Sequence, residues 1–231
     1  MSGPKKLTIV MATLAALALA VGPAFANLIT NGDFEAGNQD FTSAYTFNSI
    51  TDGMLNEGSY SVGPDPLAVH KLWTRFGDHT TGAGNMMIVN GSTVAGVDVW
   101  ASPVVVNSIA VVPGTTYYFA AWLASVYPAL NNPPTAPAKL AFSINNVQIG
   151  TDITLSAPVG TWELFYVPWV ADGTGFANLS LINKNITAGG NDFAIDDISL
   201  DTSVPVAEPA TMLLIGLGLV GLARVSRKFR K

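Results

Sequence analysis

The chain has 231 residues, no cysteine, and sixteen Asp and Glu against eleven Lys and Arg. Without thiols there is no disulfide framework, thiol nucleophile or zinc–thiolate site, so packing, or a hard cation, must hold any fold. Between Asn27 and Val206 only four Lys and Arg face fifteen Asp and Glu, a net charge of −11, which repels polyanions and sets nucleic acid aside as a partner.

Residues 1–26 read as a secretory signal peptide. Lys5 and Lys6 open it, Leu7 to Val21 is an apolar run, and Ala24-Phe25-Ala26 has the small-x-small form of a signal peptidase site. Gly22-Pro23 keeps the chain extended before the cut. The run spans 15 residues, short of the roughly 20 that cross a bilayer as a helix, which favours cleavage over a permanent anchor.

From Asn27 to Asp201 short apolar, β-branched and aromatic runs alternate with clusters of Gly, Pro, Asn and Asp. Strands are expected at Val69–Thr74, Asn85–Val89, Val104–Val111, Thr116–Ser125, Lys139–Ile144, Trp162–Trp169, Ala177–Asn183 and Asn191–Leu200. Eight strands with frequent turns and no helical period predict an all-β domain over 27–201, an antiparallel β-sandwich. Val112-Pro113-Gly114-Thr115 fits a hairpin turn, because Pro fixes one φ and Gly accepts a positive one. Asn145-Asn146 marks a second tight turn, and the proline-rich segment 131–137 an exposed loop.

The domain opens Leu28-Ile29-Thr30-Asn31-Gly32-Asp33-Phe34-Glu35 and closes Phe193-Ala194-Ile195-Asp196-Asp197-Ile198-Ser199-Leu200. Between them come Val112-Pro113-Gly114-Thr115-Thr116-Tyr117-Tyr118, Trp122, Trp162 and Trp169. This succession resembles the galactose-binding-like jelly roll of carbohydrate-binding modules of families 4, 9 and 22. The resemblance implies that the first and last strands lie side by side. It also implies a structural calcium ion where the two ends meet, with Glu35 and Asp197 as ligands, accompanied by Asp196 and a carbonyl near Asn31. Oxygen donors of this kind suit calcium; the alternative is that these acids cap turns.

Most aromatic residues of a sandwich belong to its core, and Trp122, inside Phe119-Ala120-Ala121-Trp122-Leu123-Ala124, reads as a core residue. Trp73 and Trp100, beside Arg75 and Asp98, are the expected exposed platforms for a sugar ring. Catalytic groups are scarce. The two histidines, His70 in an expected strand and His79 in a surface loop, do not form a helical metal pair, and no G-x-S-x-G elbow occurs. Asp196 and Asp197 are not expected to act as a glycosidase pair, since neighbours on a strand point to opposite faces. A non-enzymatic protein is expected.

After a linker, residues 202–209, the chain ends in a distinctive tail. Pro205-Val206-Ala207-Glu208-Pro209 precedes the apolar stretch Ala210 to Ala223, and Arg224, Arg227, Lys228, Arg230 and Lys231 follow. A short apolar helix capped by basic residues lodges in a membrane with its cations on the cytoplasmic side. The order of parts resembles the PEP-CTERM sorting signal of exported bacterial proteins, with Glu208 and Pro209 in the motif and Ala207 replacing its first proline. That resemblance implies recognition by a membrane-embedded exosortase and passage to the cell surface; a plain single-pass anchor is the alternative. The leading expectation is a surface or matrix protein whose sandwich binds polysaccharide. Behind it stand a structural or adhesive biofilm protein without a small ligand and, last, a glycoside hydrolase.

Overall fold

The computed structural model describes residues 27–49, 56–103, 109–127 and 136–206. The expected signal segment and C-terminal membrane helix, residues 104–108 of one expected strand and most of the proline-rich loop lie outside the described residues. Among the described residues no helix is long and apolar enough to cross a membrane.

The chain is all-β. Its strands are β1 (Thr46–Phe47), β2 (Ser59–Gly63), β3 (Met86–Asn90), β4 (Asp98–Ala101), β5 (Ile109–Ala110), β6 (Thr116–Ser125) and β7 (Lys139–Ile144). Then come β8 (Val147–Thr154), β9 (Glu163–Val170), β10 (Phe176–Ala177), β11 (Leu179–Asn183) and β12 (Phe193–Asp201). A six-stranded sheet in the order β1-β2-β3-β12-β6-β9 packs against a four-stranded sheet β4-β11-β7-β8, and β5 pairs with β10 beside them. All pairings are antiparallel except the short β1–β2 contact.

Period-two alternation decides which side chains enter the core. Tyr117, Phe119, Ala121 and Leu123 of β6 point inward to meet Leu140, Phe142 and Ile144 of β7 and Leu179 and Leu181 of β11. Phe119 and Phe142 meet edge to face at 4.6 Å, a geometry that adds to the burial of their area. The expected turns form as read. Gly114 has φ +77°, and Thr115 N–H donates to Val112 O at 3.1 Å. Asn145 and Asn146 take φ of 53° and 63°, the pair of positive values that a two-residue hairpin between β7 and β8 requires.

The chain ends meet as expected. Leu28 N–H donates to Leu200 O, Ile198 N–H donates to Gly32 O at 2.8 Å, and the Asn27 side chain binds both Ile198 O and Leu200 N–H. β3 pairs with residues 193–195 of β12, and farther along that strand the opening segment takes over β3's place. Gly32 is needed at the contact, since a Cβ there would stand 2.1 Å from Ile198 O.

One expected strand is absent. Val69–Thr74 is not extended; instead Asp65 caps a one-turn helix, α1 (Pro66–Val69), by accepting the Leu67 N–H. Proline at the first helical position, directly after an aspartate, is a start signal that outweighed the apolar character of the run. The segment from α1 to Gly84 folds over the outer face of the six-stranded sheet. There Val69 and Trp73 bury Met86, Ile88, Ala194 and Val126 in a second apolar cluster.

Candidate functional site

The second sheet face is only half covered. On β6, Tyr118, Ala120, Trp122 and Ala124 point away from the core, and the register places Pro168, Tyr166 and Leu164 of β9 opposite the first three. Tyr118 and Tyr166 approach to 6.1 Å between ring centroids, edge to face, and Tyr166 is 43% exposed. Neighbouring strands thus expose two aromatic rings together. Beside them opens a groove of about 700 Å³, lined by Trp122, Leu164, Asp197, Ser199 and His79, with Pro205 and Val206 along one wall.

The aromatic expectations are inverted. Trp100 is 1% exposed and faces Phe119 in the main core, because the β4–β11 register, which slips between Trp100 and Asp98, sets it opposite the core residue Leu181. Trp73 is 4% exposed beneath α1, in contact with the His70 ring. Neither presents a flat face to a ligand. Trp122, read as core, is instead on the outer face, with the His79 ring stacked on it at 3.7 Å and 17°. An apolar run with no polar alternation resolved into two apolar faces, Phe119, Ala121 and Leu123 in the main core and Ala120, Trp122 and Ala124 on the outer side.

The loop 77–84 carries His79 and is shaped by acids. Asp78, buried, accepts from the N–H groups of Thr81 and Gly84. Asp196 is fully buried and accepts from the His79 N–H at 2.7 Å, the Thr80 N–H at 3.1 Å and the Thr80 hydroxyl. Asp197 Oδ2 lies 2.6 Å from His79 Nδ1, and its Oδ1 accepts from the same Thr80 hydroxyl. Two adjacent residues reach one hydroxyl because the ladder slips: Asp196 pairs with Trp122 and Ser199 with Ala120, leaving one extra residue on β12. Asp197 takes φ 46° in that bulge. The expectation that these carboxylates face opposite ways is therefore corrected. The bulge aims both at the loop.

Burial, and next the charge of Asp197, push the Asp196 carboxyl up to about 7, against the loop N–H groups that favour its anion. Glu35 accepts the Asn85 N–H at 2.7 Å, just before β3, and packs with Asp78 against Gly84, where an added Cβ would stand 2.0 Å from Glu35 Oε1. Asn31 is occupied locally: its carbonyl accepts from Phe34 N–H, its side-chain oxygen from Ala36 N–H, and its amide donates to Gly37 O and Gln39 O. Glu35, Asp78, Asp196 and Asp197 offer oxygen donors of the kind a hard cation takes, and a cation there would offset the charge of Asp197 beside the buried Asp196. Among the described residues, however, no three His, Asp or Glu side chains converge as a metal set, so main-chain carbonyls would have to complete the shell. Sequence reading missed Asp78 and the His79–Trp122 stack; the run Gly77-Asp78-His79-Thr80-Thr81-Gly82 signals a tight acidic loop but not what it covers.

Comparisons with known proteins bear on both ends of this description. Residues 205–228 match the PEP-CTERM protein-sorting motif. The chain carries that sorting signal. It contains Glu208, Pro209, Arg224, Arg227 and Lys228, and begins at Pro205, on the groove wall. Comparison with curated proteins gives no significant match. Among solved structures, the chain is similar to an arabinose-bound α-L-arabinofuranosidase of glycoside hydrolase family 51, at TM-score 0.50 and 10% identity, covering 78% of this chain and 27% of that one. It is also similar to the CBM22-1 xylan-binding domain of Paenibacillus barcinonensis Xyn10C (TM-score 0.45, 13% identity, 78% and 97% covered). A third is a family 16 carbohydrate-binding module (TM-score 0.40, 16% identity, 75% and 99% covered). At these identities the likeness is one of fold, the jelly-roll sandwich.

Proposed function

We propose that this is an exported bacterial protein, handled by an exosortase through its PEP-CTERM tail, whose sandwich binds polysaccharide at the surface or in the extracellular matrix. The observation that carries the sugar reading is the pairing of Tyr118 and Tyr166 on one exposed sheet face beside a groove floored by Trp122. Aromatic rings cover the apolar faces of sugars, while Asp33, Asp197 and Ser199 along the groove offer acceptors and a hydroxyl for their OH groups. Among the described residues the outer face of the four-stranded sheet carries no such rings: Lys139, Ala141 and Ser143 of β7 and Ser180 and Ile182 of β11 lie there. No reaction is assigned: Asp196, pushed up to about 7, lies in this groove's neighbourhood but is sealed under the loop. Calcium is proposed as a structural ion at Asp196 and Asp197, with main-chain carbonyls completing the shell, supported by the buried Asp196 carboxyl beside Asp197; Glu35 and Asn31 are engaged by hydrogen bonds of their own.

The test is retention of the purified protein on a panel of polysaccharides with calcium present, compared with Tyr118→Ala and Tyr166→Ala. Removing one stacking ring is expected to weaken binding by about 1–3 kcal/mol, with thermal melts of the variants near wild type. Retention on none of the polysaccharides would favour the second reading, a structural or adhesive matrix protein. One feature already points that way: the Trp122 ring is taken by His79 rather than left open.

A further inference from the structure

The last described residues place the sorting tail on the groove. At Asp201 β12 ends opposite Tyr118, where the Ser203 N–H donates to Asp201 Oδ1, and the chain turns back across the outer face. It does not run on beyond the sandwich. Pro205 and Val206 then form a groove wall with His79, Trp122, Asp197 and Ser199. Val206 is 73% exposed, so it edges the groove mouth rather than filling the groove.

Chain length makes this placement consequential. The apolar stretch starts at Ala210, four residues past Val206. Fully extended, four residues span at most about 14 Å. Once that stretch is lodged in a bilayer, the groove mouth lies within that distance of the membrane surface. The strongly acidic body adds no attraction that would seat some other face on anionic lipid instead.

We propose that the outer face of the six-stranded sheet faces the bilayer while the tail is anchored. The groove is then closed to bulky polymers until the tail is released or cut, and export and access to the groove become one event. The inference takes its interest from the proposed polysaccharide site, but its test needs no sugar. The chain lacks cysteine, so single cysteines report cleanly. Ser199→Cys samples the groove, and Thr151→Cys on exposed β8 of the other sheet serves as the control. The full chain is reconstituted in phosphatidylcholine vesicles and treated with a maleimide carrying a bulky poly(ethylene glycol).

Labelling of Ser199→Cys, normalised to Thr151→Cys, is expected to be several-fold slower in vesicles than in detergent. A long Gly/Ser insert between Val206 and Ala207 should restore it in vesicles, since a flexible linker lets the face lift away. Equal normalised rates in vesicles and detergent would overturn the proposal, as would slow labelling that the insert leaves unchanged. If Ser199→Cys does not fold, Tyr166→Cys on β9 reads the same face. Failure of this test leaves the sugar reading standing, and failure of sugar binding leaves this one standing.

Discussion

Burial under the loop 77–84, with Asp197 alongside, holds the Asp196 carboxyl near 7, well above the ordinary range of an aspartate. The sign follows from linkage. The unfolded chain gives up this proton near pH 4 and the folded chain near 7, so folding is favoured below that window and loses stability as pH rises through it. Burial shifts Asp192 and Glu57 the same way, while the lowered His70 opposes them around its ordinary value of 6.5. Thermal melts are therefore expected to fall between pH 4 and pH 7. Asp196→Asn should flatten that fall, at a cost of about 1 kcal/mol at low pH, because its amide nitrogen faces an N–H donor where an oxygen now accepts. A wild-type slope retained in Asp196→Asn would count against the assignment. Single residues were also where sequence reading served least. Trp100 and Trp122 exchanged roles because local polarity does not reveal which face a strand turns inward, and Trp73 is hidden because its own segment folds onto strands distant in sequence.

Elements rich in local signal were legible. The bounds of β6 and β7 were read residue for residue, since β-branched and aromatic runs end there at strong turn residues. β1, β2, β4 and β8 were not read, and each lacks that contrast: β8 is the mostly exposed run Val-Gln-Ile-Gly-Thr-Asp-Ile-Thr, and β2 buries two serines. The closure of the opening segment on β12 can be tested at its tightest point. Gly32→Ala forces a Cβ toward Ile198 O and is expected to cost about 1–3 kcal/mol in denaturant melts. Gly173→Ala, with open space around it, should be neutral. Equal stability of the two variants would mean that the seam is looser than described.

For the whole molecule, the jelly-roll class and the meeting of its ends could be read from the opening and closing motifs, and the tail from its order of parts. What could not be read is that residues 64–84 fold back over one sheet, which creates both the groove wall and the acidic loop. Two outcomes belong to this scale. Melting temperatures with calcium should exceed those with chelator by RT ln(1 + [Ca²⁺]/Kd) expressed as stability; superimposable melts would remove the ion. Deletion of residues 207–231 should shift the protein from the membrane fraction to the medium, as fractionation would show.

The margins of the two sheets have a consequence for a protein crowded among its own copies. β1 is two residues long, Thr42 bridges Ala101 on β4, and the outermost strand β9 carries Pro168, which has no N–H to offer. A neighbour therefore finds few free main-chain donors along these three borders; the fourth, β8, is eight mostly exposed residues paired only to β7 and is the border on which a strand could add. Copies packed closely would therefore join strand to strand at β8 and at none of the other three margins.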